Sequence, residues 1–381
     1  SVGEKIKRRY GNISPLLVEK KFALFAVSFT QLKSQKMERK IIQQTVLKFI
    51  NTEIGNMEAI NRFGVAKNYA CVRNSLSRYL QSRGKTDISF KRLTTERLVN
   101  YQAWLWAGGV SKNTSSCYLR SLHALFNKAV RQGFASGNPF TNVYTGIAKT
   151  RKRAITVEDI RKLSVLDIEA ELIKSGKNPG QKSFATTSQS LHFTRDLFLF
   201  CFCACGMTFV DLAHLKKSNI SNGFIYYARK KTHQPIEVKV ETLMQKIIDK
   251  YTQSSPYLFP ILTSTDTREA DRQYRKAIRI YNMNLKKLST FLGDGISLTS
   301  YVGRHTWATA AYRLHIPLSV ICQAMGHDSE HTTQIYLKSL DSAVISDANH
   351  KLLDNIFIST SNIEVDKIPM QRYKLLIKHA K

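Results

Sequence analysis

The sequence predicts a mostly α-helical protein with one small β-hairpin, divided into a helical domain and an α+β domain. Apolar side chains recur at helical spacing along most of the chain. Only residues 223–228 and 235–240 have the composition of two strands joined by a tight turn. A length of 381 residues exceeds one ordinary domain, so two or three domains are expected.

The first predicted domain, residues 43–147, contains two helical stretches. One carries apolar side chains at helical spacing at Val65, Tyr69, Val72, Leu76 and Tyr79. The other repeats this spacing at Tyr118, Leu122, Leu125 and Ala129. The second stretch opens with residues 111–114, where a serine or an asparagine can cap the helix N-terminus.

The second predicted domain, residues 156–350, begins with a capping-box-like sequence at residues 156–159. Residues 175–190 are rich in Gly, Ser, Lys and Gln, which predicts a loop. A buried helix is expected around residues 197–205. After the hairpin, helices are expected to dominate to about residue 353.

The charge balance indicates a polyanionic partner. Lys and Arg number 58 against 28 Asp and Glu, a formal net charge of +30 at pH 7. An excess of this size favours nucleic acid. A membrane surface would also attract it, but the sequence has no run of about 18 apolar residues to span a bilayer. The N-terminus lacks the apolar core of a signal peptide, so we expect a cytoplasmic protein that acts on DNA.

The six cysteines form no C-x-x-C pair, and Cys201, Cys203 and Cys205 lie at the end of an apolar run. Metal ligation would need different spacing and partner histidines. We therefore expect buried thiols in a core helix. The sequence indicates no metal and no cofactor.

Three short motifs carry the strongest signal. In order they are T-S-Y-V-G-R-H-T-W-A-T at residues 299–309, M-G-H at 325–327 and T-T-Q-I-Y at 332–336. They place Arg304, His327 and Tyr336 at fixed offsets. A tyrosine can attack phosphorus while an arginine and a histidine hold the non-bridging oxygens, which breaks a DNA phosphodiester without metal or ATP. The alternative is a helical repressor in which an arginine, a histidine and a tyrosine occur at these positions by chance.

These motifs resemble the tyrosine recombinase family, also called phage-type integrases, and are most similar to integrases of mobile elements from Bacteroides-type bacteria. Residues 113–122 are similar to the family's core-DNA-binding domain. The resemblance implies that this helical domain and a catalytic domain form a clamp on double-stranded DNA. It also implies a 3′-phosphotyrosyl intermediate and strand exchange through a Holliday junction in a tetramer.

The resemblance assigns roles to the motif residues. Tyr336 would be the nucleophile, and Arg304 would grip two phosphate oxygens. His327 would donate to the same phosphate or help to deprotonate the tyrosine, whereas His305 would pack behind the arginine. Tyr301 stands where the family more often has histidine, and its phenol can still donate to a phosphate oxygen.

The predicted hairpin turn supplies a candidate general acid. Lys231 resembles the family's hairpin lysine, which would protonate the 5′-oxygen leaving group, and neighbouring cations should lower its pKa. Lys230 is the alternative, one residue away. The predicted DNA contacts are the polar and basic residues Lys112, Asn113, Arg120, Arg151, Lys152, Arg153 and Lys230.

One expected residue is missing. The common family pattern G-x-R-x-x-E-L places the first catalytic arginine at Thr208, and relatives of the Bacteroides-type group place it at Cys205. Neither is arginine here, although Asp211 keeps the acidic position. Loss of one such contact costs about 2.7–4 kcal/mol. Another arginine or lysine substitutes, the enzyme is slow, or the site is altered.

Three segments flank the two domains. Residues 1–42 are basic, and they are either a lead-in or a truncated DNA-binding arm segment. Residues 148–155 form a basic linker, which would follow the phosphate backbone. Residues 351–381 form a C-terminal tail with a short amphipathic stretch, and we interpret it as a segment that docks on a neighbouring protomer.

The expected function is site-specific recombination that integrates or excises a mobile element, at the nucleoid of a bacterium. DNA-bending proteins of the host or the element are candidate partners. Two alternatives remain open. One is a type IB topoisomerase-like enzyme that nicks and closes DNA, and the other is a DNA-binding protein with a decayed active site.

Overall fold

A computed structural model of the protein describes residues 44–148, 154–251 and 254–337. The chain divides into two units, with the boundary between Thr150 and Arg151. The predictions for residues 1–42, 151–153 and 351–381 concern residues outside the described ranges. Within those ranges, no helix is long and apolar enough to cross a bilayer.

The described part of the first unit contains the helices α1 (Val46–Ala59), α2 (Phe63–Gln81), α3 (Thr95–Ala107) and α4 (Lys112–Arg131). Their apolar faces meet in one core that includes Phe49 and Leu122. The two predicted helical stretches are confirmed as α2 and α4. Ser111 caps α4, because its hydroxyl accepts the backbone N–H of Thr114.

Helix α3 is an element that the sequence reasoning did not predict. The hydroxyl of Thr94 accepts the N–H of Arg97 and caps the helix. Tyr101 and Leu105 are fully buried on one face of it. The exposed face carries Trp106, whose indole N–H donates to Ser115. Its tryptophans thus belong to a core helix rather than to a connection.

Three polar side chains bind the segment that leaves the first unit. Gln102 bonds both the N–H and the carbonyl of Tyr144. Ser116 donates to the carbonyl of Gly146 at 2.6 Å. Asn113 accepts from the N–H of Ala148 at 2.7 Å and donates to its carbonyl at 3.0 Å. The side chains thus bond the backbone of residues 144, 146 and 148. Every second residue of the segment is held, which is also the spacing at which residues of a strand face the same way.

The second unit begins with α5 (Val157–Ser164), α6 (Ile168–Lys174), α7 (Lys182–Cys203) and α8 (Phe209–His214). The predicted capping box is confirmed, because Thr156 and Asp159 bond each other's backbone N–H groups. The prediction of a loop over residues 175–190 is wrong from the start of α7 onward. That stretch is helical although it is polar, because Phe184 and Leu191 face the core.

A three-stranded antiparallel sheet follows, in the order β1 (Ile220–Ser221), β2 (Phe224–Ala228), β3 (Pro235–Lys239). The predicted hairpin is confirmed as β2 and β3, with Ile225 opposite Val238. The short strand β1 was not predicted. Ile225 and Ile236 are buried on the sheet face that joins the main core of this unit.

The rest of the described chain is helical, as predicted. It comprises α9 (Thr242–Lys250), α10 (Thr267–Leu292), α11 (Val302–Arg313), α12 (Leu318–Met325) and α13 (Glu330–Leu337). Helix α7 runs through the centre of the core, where Phe198 and Phe200 are almost completely buried. It packs against α9, α10 and α11 and so positions the motif residues carried by α11.

Candidate active site

The turn between α7 and α8 lies directly against α11. Cys205 and Gly206 both have positive φ, 53° and 72°, which reverses the chain after α7. A Cβ atom at Gly206 would lie 2.9 Å from the Cα of Arg304, so the close approach of the two backbones requires glycine. The carbonyl of Gly206 accepts a hydrogen bond of 2.8 Å from Arg304 Nη1.

Arg304 is 3% exposed and carries a permanent positive charge into the core of the second unit. Besides the Gly206 carbonyl, its guanidinium donates through Nη2 to the carbonyl of Met325 at 2.6 Å. The same nitrogen lies 2.9 Å from His327 Nε2. The side chain therefore joins the α7–α8 turn, the end of α12 and the histidine of the G-H motif.

His327 is held between an arginine and a threonine. A guanidinium only donates, so His327 Nε2 accepts from Arg304, and Nδ1 donates to the hydroxyl of Thr333 at 2.8 Å. Burial, then the charges of Arg304, Arg229 and Lys231, lowers the pKa of His327 to about 3. The imidazole is therefore neutral at physiological pH and able to accept a proton.

Helix α13 carries the motif tyrosine. Thr333, whose hydroxyl bonds His327, is fully buried at the centre of this helix. Positions three apart share a face of an α-helix. Position 336 therefore follows Thr333 on the helix face that contacts His327, one turn further along the chain. Position 336 thus lies about one helical turn from the contact between Thr333 and His327.

The β2–β3 turn separates the two candidate general acids. Lys231 is exposed, and its charge contributes to the lowered pKa of His327. Lys230 instead contributes to the lowered pKa of His214 on α8, and its backbone N–H donates to Asp211 at 2.8 Å. Of the two lysines, Lys231 is thus the one on the side of the motif histidine.

Arg229 is a site residue that the sequence reasoning missed. It is 4% exposed, and its Nη1 donates to the carbonyl of Gly326 at 2.9 Å. Its Nε lies 3.7 Å from the Asp211 carboxylate. The sequence does contain a signal for this residue. Ile225, Tyr227 and Arg229 are two positions apart, so in an extended chain they point to the same side of β2, whose last residue directly precedes Arg229. A buried cation therefore enters the site from the sheet.

Cys205 and Thr208 are the two positions at which the family pattern would place its first arginine, and neither side chain carries a charge. Thr208 is buried, and its hydroxyl donates to the Asp211 carboxylate. Cys205 is half-buried, and burial raises the pKa of its thiol, so the sulfur is protonated. Asp211 accepts from Thr208 and from the Lys230 backbone and faces Arg229. The acidic residue thus orients a guanidinium that comes from β2.

The flanking motif residues lie at the N-terminus of α11. Tyr301 precedes the helix and is 42% exposed, so its hydroxyl is accessible to a ligand. Its ring lies 6.0 Å from that of His305, which is half-buried. Within the described ranges, no group of three or more His, Cys, Asp and Glu side chains is placed to hold a metal ion.

The predicted DNA contacts differ in accessibility. Lys112, Arg120 and Lys230 are exposed. Asn113 is half-buried, and both polar atoms of its amide bond the backbone of Ala148. These two bonds fix the end of the first unit, and a DNA contact by Asn113 stays a prediction. Residues 151–153 lie outside the described ranges.

Two family models match this chain. Residues 45–147 match the model of the phage integrase SAM-like domain, and residues 182–343 match that of the phage integrase family. Together the two matches cover more than half of the chain. The chain therefore belongs to the tyrosine recombinase family of DNA strand-transferring enzymes, which confirms the resemblance found in the sequence.

Two relatives are archaeal. The tyrosine recombinase XerA of Pyrococcus furiosus is 24% identical over 274 residues, which cover 65% of this chain and 91% of the relative. The tyrosine recombinase XerA of Pyrococcus horikoshii is 22% identical over 270 residues, which cover 65% of this chain and 90% of the relative. The similarity thus extends along almost the whole length of both relatives.

Solved structures show the same fold. A lambda integrase dimer bound to a COC′ core site matches with a TM-score of 0.52 and 17% identity over 77% of each chain. The Tn1549 transposon integrase in complex with a circular intermediate DNA matches with a TM-score of 0.54 and 14% identity. That match covers 81% of this chain and 100% of the other.

The close packing at Gly206 yields a first prediction. Gly206→Ala should lower the rate of DNA cleavage strongly, because the new Cβ meets the Arg304 backbone. Gly223→Ala is the matched control: Gly223 also has positive φ, 76°, but nothing lies within 4 Å of its Cβ position. Both variants should lose about 1–3 kcal/mol of stability from backbone strain. Equal cleavage rates in the two variants would contradict the prediction.

Proposed function

We propose that this protein is a site-specific DNA recombinase that cuts and rejoins DNA through a 3′-phosphotyrosyl intermediate and integrates or excises a mobile element. The observation that carries the proposal is the bonded pair of Arg304 and His327 beside the helix of Tyr336. A phosphodiester at this position would meet fixed positive charge and a neutral imidazole. These groups stabilise the charge that builds on a five-coordinate phosphorus.

In the cleavage step, the phenol oxygen of Tyr336 bonds to phosphorus as the P–O5′ bond breaks. The phenol proton passes to His327 Nε2, which exchanges its bond from Arg304 for one from the phenol as the guanidinium turns to the phosphate. The negative charge of the bound phosphate raises the pKa of this histidine from its low value in the free site. One P–O bond replaces another, so a 5′-hydroxyl can reverse the step without a cofactor.

Arg229 supplies the cation that the Thr208 and Cys205 positions lack. Its buried guanidinium faces Asp211, the acidic residue of the family pattern, and bonds the carbonyl next to His327. It also contributes to the low pKa of His327, so its charge acts at the same site. With Arg304, two guanidinium groups would then face the phosphate oxygens.

Lys231 donates a proton to the leaving 5′-oxygen. Its side chain is exposed, and its charge contributes to the lowered pKa of His327. A protonated leaving group avoids the formation of a strongly basic alkoxide, and general acids of this kind contribute about 10²–10⁴ in rate. Tyr301 adds a phenol donor to a phosphate oxygen.

DNA binding would use the exposed residues Lys112, Arg120 and Lys230 together with residues 151–153. In this proposal, four protomers pair two DNA sites through a Holliday junction. A lambda integrase structure of this fold is a dimer on its DNA site, which supports assembly on DNA. We place the reaction at the nucleoid in the bacterial cytoplasm, with DNA-bending proteins as accessory partners.

A nicked suicide substrate tests the function directly. Loss of a short strand beyond the nick prevents religation, so a recombinase accumulates as a covalent protein–DNA adduct. We expect this adduct on denaturing gels and recombinant products from two paired sites. Relaxation of supercoiled DNA that lacks those sites would favour the topoisomerase-like alternative. DNA binding without any adduct would favour a decayed active site and contradict the proposal.

The charge of the chain predicts strongly salt-dependent DNA binding. The slope of log affinity against log salt should be steep, since each neutralised phosphate contributes about −0.9. Lys112→Gln and Arg120→Gln should each reduce the slope by about one. Lys174→Gln is the control, because Lys174 already pairs with Glu171 at 2.6 Å. Fluorescence anisotropy between low and moderate salt measures the slope, and a nearly flat plot would contradict the prediction.

A further inference from the structure

The loop that carries Lys231 closes on itself. The backbone N–H of Arg229 donates to the carbonyl of Gln234, and the N–H of His233 donates to the carbonyl of Arg229, both at 2.9 Å. His233 adopts a positive φ of 59°, which completes the turn. The residues around Lys231 therefore form a defined turn before any DNA binds.

This turn is also docked on the segment that carries the motif histidine. The carbonyl of Gly326 accepts from Arg229 Nη1 at 2.9 Å and from the Thr232 hydroxyl at 3.0 Å. The Gln234 amide donates to Asp328 at 3.3 Å. Two of these three bonds converge on one carbonyl, which belongs to the residue immediately before His327.

Gly326 brings the two segments close together. It ends α12 in the left-handed conformation, with φ 60°. A Cβ atom here would lie 2.6 Å from Arg229 Cδ and 2.8 Å from Ile236 Cδ1. The turn thus packs against glycine backbone, and its distance from His327 is set by direct contact.

Lys231 lies between two anchored neighbours. On one side, the backbone N–H of Lys230 donates to Asp211 on α8 at 2.8 Å. On the other side, Thr232 bonds Gly326. Lys231 itself is exposed. The chain on both sides of this lysine is therefore fixed relative to His327, while its side chain is available to a ligand.

We infer that Thr232 is a positioning residue for Lys231. Its hydroxyl, bound to the Gly326 carbonyl, holds the general acid at a fixed distance from the phosphate-binding pair. The inference rests on the proposed function, in which Lys231 gives a proton to O5′ as the P–O5′ bond breaks and the Tyr336–phosphorus bond forms. Small displacements of such a group are costly in rate.

The test separates positioning of the acid from general loss of structure. A substrate with sulfur in place of the bridging 5′-oxygen releases a thiolate, which needs no proton because a thiol has a pKa of about 8.5. Thr232→Val should slow cleavage of the oxygen substrate about 100-fold. On the sulfur substrate it should cleave at the wild-type rate. Thr232→Ser, which keeps the hydroxyl, should restore cleavage of the oxygen substrate.

Lys231→Met is the variant for comparison, because it removes the proton donor itself. It should slow cleavage of the oxygen substrate more than Thr232→Val does and leave cleavage of the sulfur substrate unchanged. Equal slowing of Thr232→Val on both substrates, or no slowing on either, would overturn the positioning role. If Lys231→Met itself slows both substrates equally, the lysine is not the general acid and the inference fails with it. Absence of an adduct from the wild-type protein on both substrates would instead refute the proposed function as a whole.

Discussion

Tyr336→Phe is expected to bind DNA normally and to form no covalent adduct. The substitution removes one hydroxyl, and that oxygen is the atom that would bond to phosphorus. Because the proposed step has no other nucleophile, no residual cleavage is expected. Denaturing gels with the suicide substrate measure the adduct, and gel shifts measure binding.

Tyr312→Phe is the matched control for this variant. Tyr312 lies on α11, about two turns after Arg304, and packs partly against a small apolar cluster. Its loss of a hydroxyl should leave the yield of adduct unchanged. An adduct formed by Tyr336→Phe would show that another residue is the nucleophile, and the assignment of the C-terminal motif would be wrong.

The central motif was predictable from sequence because it is local. Arg304, His327 and Tyr336 lie on α11 to α13 and the turns between them, so their spacing along the chain nearly determines their spacing in the fold. The Thr333 bond to His327 was not predictable in the same way. It depends on how α13 turns back toward the end of α12.

The substitute cation could not be located by spacing. Along the chain, β1 and β2 lie between Asp211 and Arg229, and β3 and the four helices α9 to α12 lie between Arg229 and Gly326. Only the folded contacts show that its side chain points into the site. The sequence left three explanations for the missing arginine, and we propose Arg229 as its substitute because of these contacts.

The errors in the fold prediction have a common physical cause. The start of α7 is rich in Ser, Thr and Gln, so its local helix propensity is weak. In α3, the exposed apolar residues Val99 and Trp106 obscure the helical spacing of the buried residues. Tertiary burial of a few side chains, such as Phe184 and Tyr101, decides that both stretches are helical. By contrast, α2 and α4 were predicted from the regular helical spacing of their apolar residues alone.

Arg229→Met is expected to lower the rate of DNA cleavage about 10²–10³-fold, the range for loss of one contact to a developing oxyanion. The reason is the loss of a buried positive charge that faces both Asp211 and the carbonyl beside His327. The same variant should cleave a substrate with an uncharged methylphosphonate at the scissile position with a much smaller loss. With no negative charge on that substrate, the missing cation matters less.

Arg195→Met is the control for removing an arginine that pairs with a buried carboxylate. Arg195 also pairs with a buried carboxylate, Asp196, at 3.0 Å, but on α7 away from the motif residues. Its loss should lower the melting temperature and should slow cleavage of the two substrates equally, if at all.

Cys205→Arg and Thr208→Arg should cleave DNA no faster than the wild-type enzyme, because Arg229 already supplies the positive charge at this position. Faster cleavage by either variant, or an equal loss by Arg229→Met on both substrates, would show that Arg229 is a structural residue and that the site lacks a cation.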